Sequence, residues 1–394
     1  MIGSGEVCYV ERVNHRWLRR SIKLLCVLLV CITAACSSTS TQSRLATPTP
    51  TPASAQSSPQ ALASTLRSLA QARHFYIGST VNVKALSNEP AYSATLASEF
   101  NMVTPEVSMK FSETEPQRDV YTFAKADSIV AFAQVHQMQV RGHNLVWYTD
   151  LPAWLTNGTF TRDELIAILR DHIMAEVTRY SGQVNIWDVV NEAVGDDGNL
   201  RDSIWLRGIG PDYIDMAFQW AHEANPQARL FYNDYGGEGL GRKSDAIYAL
   251  VKGMLQRGVP LDGVGLQMHI SLDSYPNPQD VLANMQRLTA LGLEVQITEM
   301  DVKTQDDTRS IQAKMTAEAQ LYGEMLHTCL SITRCTAFVM WGFTDKHSWI
   351  PAYTGHPDYP LIFDASYHPK PAYYALMQVF NQFSTLRSKP GPSY

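Results

Sequence analysis

The sequence predicts an α/β protein built as a single (β/α)8 barrel of the TIM type, and three observations lead there. Apolar, strand-like runs recur at Phe75–Asn82, Phe100–Glu106, Gln139–Trp147, Asn185–Glu192, Leu230–Tyr235, Gly263–Ile270, Glu294–Asp301 and Ala337–Asp345. The stretches between them are long enough for crossover helices, and strands alternating with helices make a parallel sheet. Eight such units in residues 61–394 fit one closed barrel better than two doubly wound domains, and no internal stretch has the composition of a linker.

One of the helices is explicit. Thr161 followed by Glu164 forms a capping box, in which each side chain satisfies a free backbone N–H of the first turn. Leu165, Leu169, Ile173 and Val177 then recur at helical spacing on one face, and Gly182 closes the segment. In such barrels the site lies at the C-terminal ends of the strands. Polar residues gather there in this chain: Glu106, His143, Asn191, Glu192, Asn233, Asp234, Gln267, His269, Glu299 and Asp301.

Residues 1–36 read as an export signal. Arg16, Arg19, Arg20 and Lys23 precede an apolar run from Leu24 to Ile32, which ends in Thr33-Ala34-Ala35-Cys36. That run is shorter than the about 20 residues needed to span a bilayer as a helix. Small residues before Cys36 resemble a bacterial lipobox, so Cys36 is the expected lipid anchor, with simple cleavage and release as the alternative. Residues 37–60 are almost entirely Ser, Thr, Pro, Ala and Gln, a composition that buries too little apolar surface to order itself, and they read as a flexible tether. The expected location is therefore extracellular or at the cell surface.

The first 35 residues carry five Arg or Lys against two acidic residues, so the whole-chain charge of −6 becomes −9 without them. An acidic domain is a poor nucleic-acid binder. Of the six cysteines, Cys8, Cys26, Cys31 and Cys36 lie in the export region, and only Cys329 and Cys335 remain. Two cysteines six positions apart in an exported protein favour a local disulfide over a metal site. His143 and His269 lack HxxxH spacing or clustered partners, so no metal and no cofactor is expected. Asn157-Gly158-Thr159 matches a glycosylation sequon but reads here as a turn.

Two strand ends carry the chemistry. Trp187-Asp188-Val189-Val190-Asn191-Glu192 and Ile297-Thr298-Glu299-Met300-Asp301 each run up an apolar strand to a glutamate, Glu192 on the fourth strand and Glu299 on the seventh. Carboxylates within an apolar run cost several kcal/mol unless partners hold them, so a merely structural strand would rarely carry them. From opposing sides of the barrel mouth the pair suits a retaining glycosidase. There one carboxylic acid protonates the leaving oxygen, and a carboxylate about 5 Å away attacks the anomeric carbon.

These segments resemble the family 10 glycoside hydrolases, mostly endo-1,4-β-xylanases, from about residue 66 to about residue 380. The resemblance is carried by RGHNLVW at 141–147, WDVVNE at 187–192, NDY at 233–235, GLQMH at 265–269, ITEMD at 297–301 and WGFTDKHSWI at 341–350. It implies Glu192 as acid/base, Glu299 as nucleophile, and His269 and Asp301 as support for the nucleophile. It also implies sugar contacts on the non-reducing side from Glu106, Lys110, His143, Asn191, Gln267 and His269. Trp147, Trp341 and Trp349 become aromatic walls, and Tyr235 a stacking platform for the leaving group. Cys329 and Cys335 match a disulfide seen in many members. The implied substrate is xylan or xylo-oligosaccharides, hydrolysed by a monomeric enzyme.

The chain departs from the family pattern at Val107, where Asn is usual. It departs also at Tyr148-Thr149-Asp150, where His-Ser-Gln is usual, and at Gly236, where Asn is common. Val107 can neither donate nor accept, and Asp150 brings a negative charge, so substrate preference at the second sugar is expected to shift. Two rivals stand beside the xylanase reading. One is a retaining β-glycosidase for another glycan or for short aryl glycosides; the other is a tethered carbohydrate-binding protein without catalysis, which retention of both glutamates disfavours.

Overall fold

The structure is a computed structural model that describes residues 64–387; the export-signal and tether readings, Cys36 among them, lie outside the described residues. Nine parallel strands form the barrel wall: β1 (Tyr76–Val81), β2 (Met102–Pro105), β3 (Gln139–Val146), β4 (Ile186–Asn191), β5 (Arg229–Asp234), β6 (Gly263–Leu266), β7 (His269–Ser271), β8 (Glu294–Lys303) and β9 (Cys335–Met340). Their order is β6-β5-β4-β3-β2-β1-β9-β8-β7, and a further β6–β8 pairing closes the ring. The short β7 resumes the line of β6 along β8, so the barrel has the eight staves that the sequence predicts.

Two expectations about the strands need correction. The sixth apolar run does not continue through Ile270. It breaks at Gln267 and Met268, where Met268 takes the left-handed φ of 67° and donates its N–H to Glu238 Oε1 at 3.1 Å. The break turns the Gln267 amide toward Asn191 and Glu192, which an unbroken strand would not do. Nor does Glu299 stand at a strand end, because β8 runs on to Lys303. Its pairing with β9 shifts register between Ile297 and Met300, the stretch that contains Glu299.

The strands are buried along most of their length, with partial exposure mainly at their ends, because helices cover the outside while side chains fill the inside. Every residue of β4 is buried, which is why its sequence reads as a continuous apolar run rather than an alternation. Met102, Ile186, Phe231, Ala337 and Val339 form a small separate cluster drawn from four strands. The larger cluster lies between wall and helices, where full burial of each Leu, Ile or Phe contributes about 1.5–3 kcal/mol. The helix Arg162–Arg179 starts as expected. Thr161 caps it and Glu164 closes the reciprocal bond, while Leu165, Leu169, Ile173 and Val177 are buried on one side.

Cys329, near the end of the helix Ile311–Leu330, is bonded to Cys335 at the start of β9, with 5.4 Å between their Cα atoms. The bridge fixes the turn that launches the last strand.

Candidate active site

The site is assembled upward from the barrel interior. Arg141 on β3 and Asp188 on β4 are fully enclosed and paired through two of the three guanidinium nitrogens, with Nε donating to Asp188 Oδ2 at 3.0 Å and Nη2 to Asp188 Oδ1. The third arm of Arg141 donates to Gln296 Oε1 at 2.5 Å. Burial alone would push the Asp188 carboxyl up, but Arg141 and then His143 more than offset it and hold its pKa below the usual aspartate value. The ionised Asp188 in turn accepts from His143 Nδ1 at 3.0 Å, which fixes that proton on Nδ1 and leaves Nε2 to accept from Asn144 at 3.2 Å.

Above this level the two glutamates face a common network. Glu192 follows β4 in a left-handed backbone conformation, φ 58°, a cost of about 1–3 kcal/mol that surrounding bonds must offset. Its N–H donates to Asn233 O at 2.8 Å. Its Oε1 accepts from Gln267 at 3.0 Å and from Asn191 at 3.3 Å, whereas Oε2 has no hydrogen bond among the described residues. Glu299 Oε1 accepts from Asn233 at 2.6 Å, and Glu299 Oε2 from His269 Nε2 at 3.1 Å. The two carboxylates are therefore joined by amides alone, because Asn191 Oδ1 accepts from both Gln267 and Asn233.

Asn233 reaches Glu299 only because Gly265 stands beside it. A Cβ at residue 265 would come within 2.1 Å of Asn233 Oδ1. That oxygen accepts from Thr298 at 2.8 Å, which settles the orientation of the amide and points its nitrogen at the carboxylate.

His269 lies between two acids. Its Nδ1 is 3.0 Å from Asp301 Oδ2, turned out of line for a hydrogen bond but close enough for an ion pair. Burial would lower its pKa, but Asp301 and Glu299 outweigh burial and raise it well above the ordinary imidazole value. The carboxylates on its two sides thus favour the protonated ring. Asp301 also accepts from Trp349 Nε1 at 2.7 Å, so one aspartate sets both an imidazole and an indole.

These groups open into a cleft of about 610 Å³. Both glutamates and all the residues expected to contact sugar line it, from Glu106, Lys110, His143 and Trp147 to Asn191, Tyr235, Gln267, His269, Trp341 and Trp349, while Asp301 stands behind His269. Trp341 packs edge-on against His143 at 5.1 Å, and Trp349 against His269 at 5.4 Å. Burial raises the Glu106 carboxyl, opposed by Lys110. Tyr235 has two cations over its ring, Lys243 and, farther off, Arg201. Lys243 Nζ sits 3.4 Å from its ring centre and itself pairs with Asp234 at 3.1 Å. Burial pushes that Asp234 carboxyl up to about 7 in spite of Lys243.

The charge expected of Asp150 is compensated. Its Oδ2 accepts from Lys110 Nζ at 2.8 Å, so the pair holds the lysine in place over the Trp147 ring, 4.5 Å from its centre. One cleft-lining position escaped the sequence reading, Tyr353, whereas Val107, Tyr148 and Thr149, noted there as departures, do line the cleft. Tyr353 is 68% exposed and lies 5.1 Å from the Trp349 ring. An exposed tyrosine one helical turn past a wall tryptophan was the available signal.

The chain matches the family model for glycosyl hydrolase family 10 over residues 65–379. It is 40% identical over 319 residues to endo-1,4-beta-xylanase B of Thermotoga neapolitana, covering 80% of this chain and 92% of that one. Endo-1,4-beta-xylanase D of Talaromyces funiculosus is 38% identical over 304 residues, covering 77% and 74%. Among solved structures, xylanase 10B of Thermotoga petrophila in complex with xylobiose superposes with a TM-score of 0.79 at 41% identity, over 81% of this chain and 98% of that one. With the parallel barrel, the cleft at its strand ends and this match over nearly all the described residues, the chain belongs to glycosyl hydrolase family 10.

Proposed function

We propose that the protein is an endo-1,4-β-xylanase that cleaves internal bonds of xylan with retention of configuration. The observation that carries this reading is the pair of glutamates joined by amides on the floor of a tryptophan-walled cleft, in a chain related along most of its length to endo-1,4-beta-xylanases. Glu299, with Asn233 and His269 holding its oxygens, is the nucleophile. Glu192 is the acid/base; Gln267 and Asn191 engage one of its oxygens, which leaves Oε2 to carry the proton.

In the first step Glu299 bonds to the anomeric carbon as the glycosidic C–O bond breaks, and the proton on Glu192 passes to the departing oxygen. In the second, Glu192 takes a proton from water, which displaces the ester to Glu299. Apolar sugar faces stack on Trp341, Trp349 and Tyr235. The Lys110–Asp150 pair and Val107 set the hydrogen bonding on the non-reducing side.

Digestion of xylan, glucan and mannan under identical conditions tests the substrate, with xylan expected to be the preferred polymer. Proton NMR during the first minutes tests the stereochemistry. The β anomer should appear first and mutarotate later; an α anomer formed first would rule out a double displacement.

We further propose export and anchorage through Cys36. Cys36→Ser should move the enzyme from the cell-associated to the released fraction or block its processing, and an unchanged distribution would count against a lipid anchor.

A further inference from the structure

Arg201 stands out because it binds the backbone of the residue that carries the acid/base carboxyl. Its Nε donates to Glu192 O at 2.9 Å, its own N–H to Ala193 O at 2.7 Å, and its Nη2 to Val194 O at 3.3 Å. Three successive carbonyls after β4 thus depend on one residue. The first of them belongs to Glu192 itself, in the left-handed conformation that the chain would leave if unrestrained.

The same guanidinium reaches the leaving-group side of the cleft. Nη2 also donates to the Tyr235 hydroxyl at 2.9 Å, and the guanidinium carbon lies 4.6 Å from the Tyr148 ring centre and 5.5 Å from that of Tyr235. None of its hydrogen bonds goes to a carboxylate, so among the described residues it is not half of a stabilising ion pair. A guanidinium partly buried without such a partner has been desolvated at a cost, and its bonds converge on Glu192 and on the tyrosine against which the departing sugar rests.

We propose that Arg201 is a positioning residue for proton transfer: it holds Glu192 in its left-handed conformation and ties that conformation to Tyr235, so that the carboxyl meets the leaving oxygen. The inference rests on the reading of Glu192 as acid/base. An ordinary loop clamp would affect every substrate alike; a positioning residue for the acid affects substrates in proportion to their need for a proton.

The test compares kcat/KM on phenyl and dinitrophenyl β-xylobioside for wild type, Arg201→Lys, Arg201→Gln and Tyr235→Phe. Dinitrophenolate departs without a proton, whereas phenolate needs one, and general acid catalysis is worth about 10²- to 10⁴-fold. Arg201→Gln is expected to lower the phenyl-to-dinitrophenyl ratio about 30-fold and to alter the alkaline limb of the phenyl pH profile. Arg201→Lys should recover part of the ratio, and Tyr235→Phe, which keeps the ring but not the hydroxyl, should lower it several-fold.

Equal losses on both substrates in the Arg201 variants would overturn the proposal, as would a wild-type ratio in Tyr235→Phe. Glu192→Ala serves as the separate control. If it fails to lower the ratio, the acid/base reading itself falls, whatever Arg201 does.

Discussion

Glu299→Ala is expected to lose at least about 10⁴-fold in turnover on every substrate, because the carboxylate that forms the bond to the anomeric carbon is gone. The variant should remain folded. Asn233 keeps its bonds to Asn191 and Thr298, and His269 keeps Asp301. Glu192→Ala should behave differently. It loses about 10²- to 10⁴-fold where the leaving group needs a proton and little in kcat/KM where it does not. Azide should then rescue Glu192→Ala on activated substrates and give a β-glycosyl azide, since the small anion attacks the glycosyl ester from the vacated side. Rescue of Glu299→Ala by azide with retained configuration would reverse the two roles.

How far the sequence discloses this site depends on what kind of contact each residue makes. The glutamates are visible because a carboxylate in an apolar run has no cheap structural explanation, and the run through β4 holds Asp188 and ends at Glu192 just beyond the strand. The helix Arg162–Arg179 is visible because its cap and its apolar face are both local patterns. Arg201 is invisible for the opposite reason. It sits in a loop without periodicity, and its partners are mostly backbone carbonyls, which every residue possesses.

Asp150 shows the same limit at longer range. Its side chain looks like a lone charge in the sequence, yet its lysine partner is 40 positions away and meets it only once β2 and β3 are neighbours. The break between β6 and β7 is hidden too, since Gln267-Met268 continues an apolar run and only the left-handed Met268 interrupts it. A further buried group went unread on the helix Arg162–Arg179. His172 stacks on Phe111 at 3.6 Å, with Glu115 and Glu176 each 3.6 Å from its ring nitrogens. Helical spacing marks residues 172 and 176 as one face but gives no reason for polar residues there.

Asp188→Asn is expected to destabilise the protein by about 3–5 kcal/mol, since it leaves Arg141 buried beside a neutral amide. For a domain of this size that is a fall in Tm on the order of 10 °C. The effect should depend on pH in a defined direction. The Asp188 pKa is held below its unfolded value, so its charge contributes stability above the ordinary aspartate range and loses it as pH falls through the folded-state value. The Tm gap between wild type and variant should therefore stay constant near neutrality and narrow only in acid. Activity should fall as well, because His143 loses the carboxylate that fixes its proton on Nδ1. The double variant Arg141→Met, Asp188→Leu separates the two effects. Replacing both halves of a buried ion pair by apolar side chains is often neutral or stabilising, so most of the lost Tm should return while His143 stays unoriented and activity stays low. A double variant as unstable as Asp188→Asn would mean that the shape of this level of the barrel, rather than its charge balance, sets the cost.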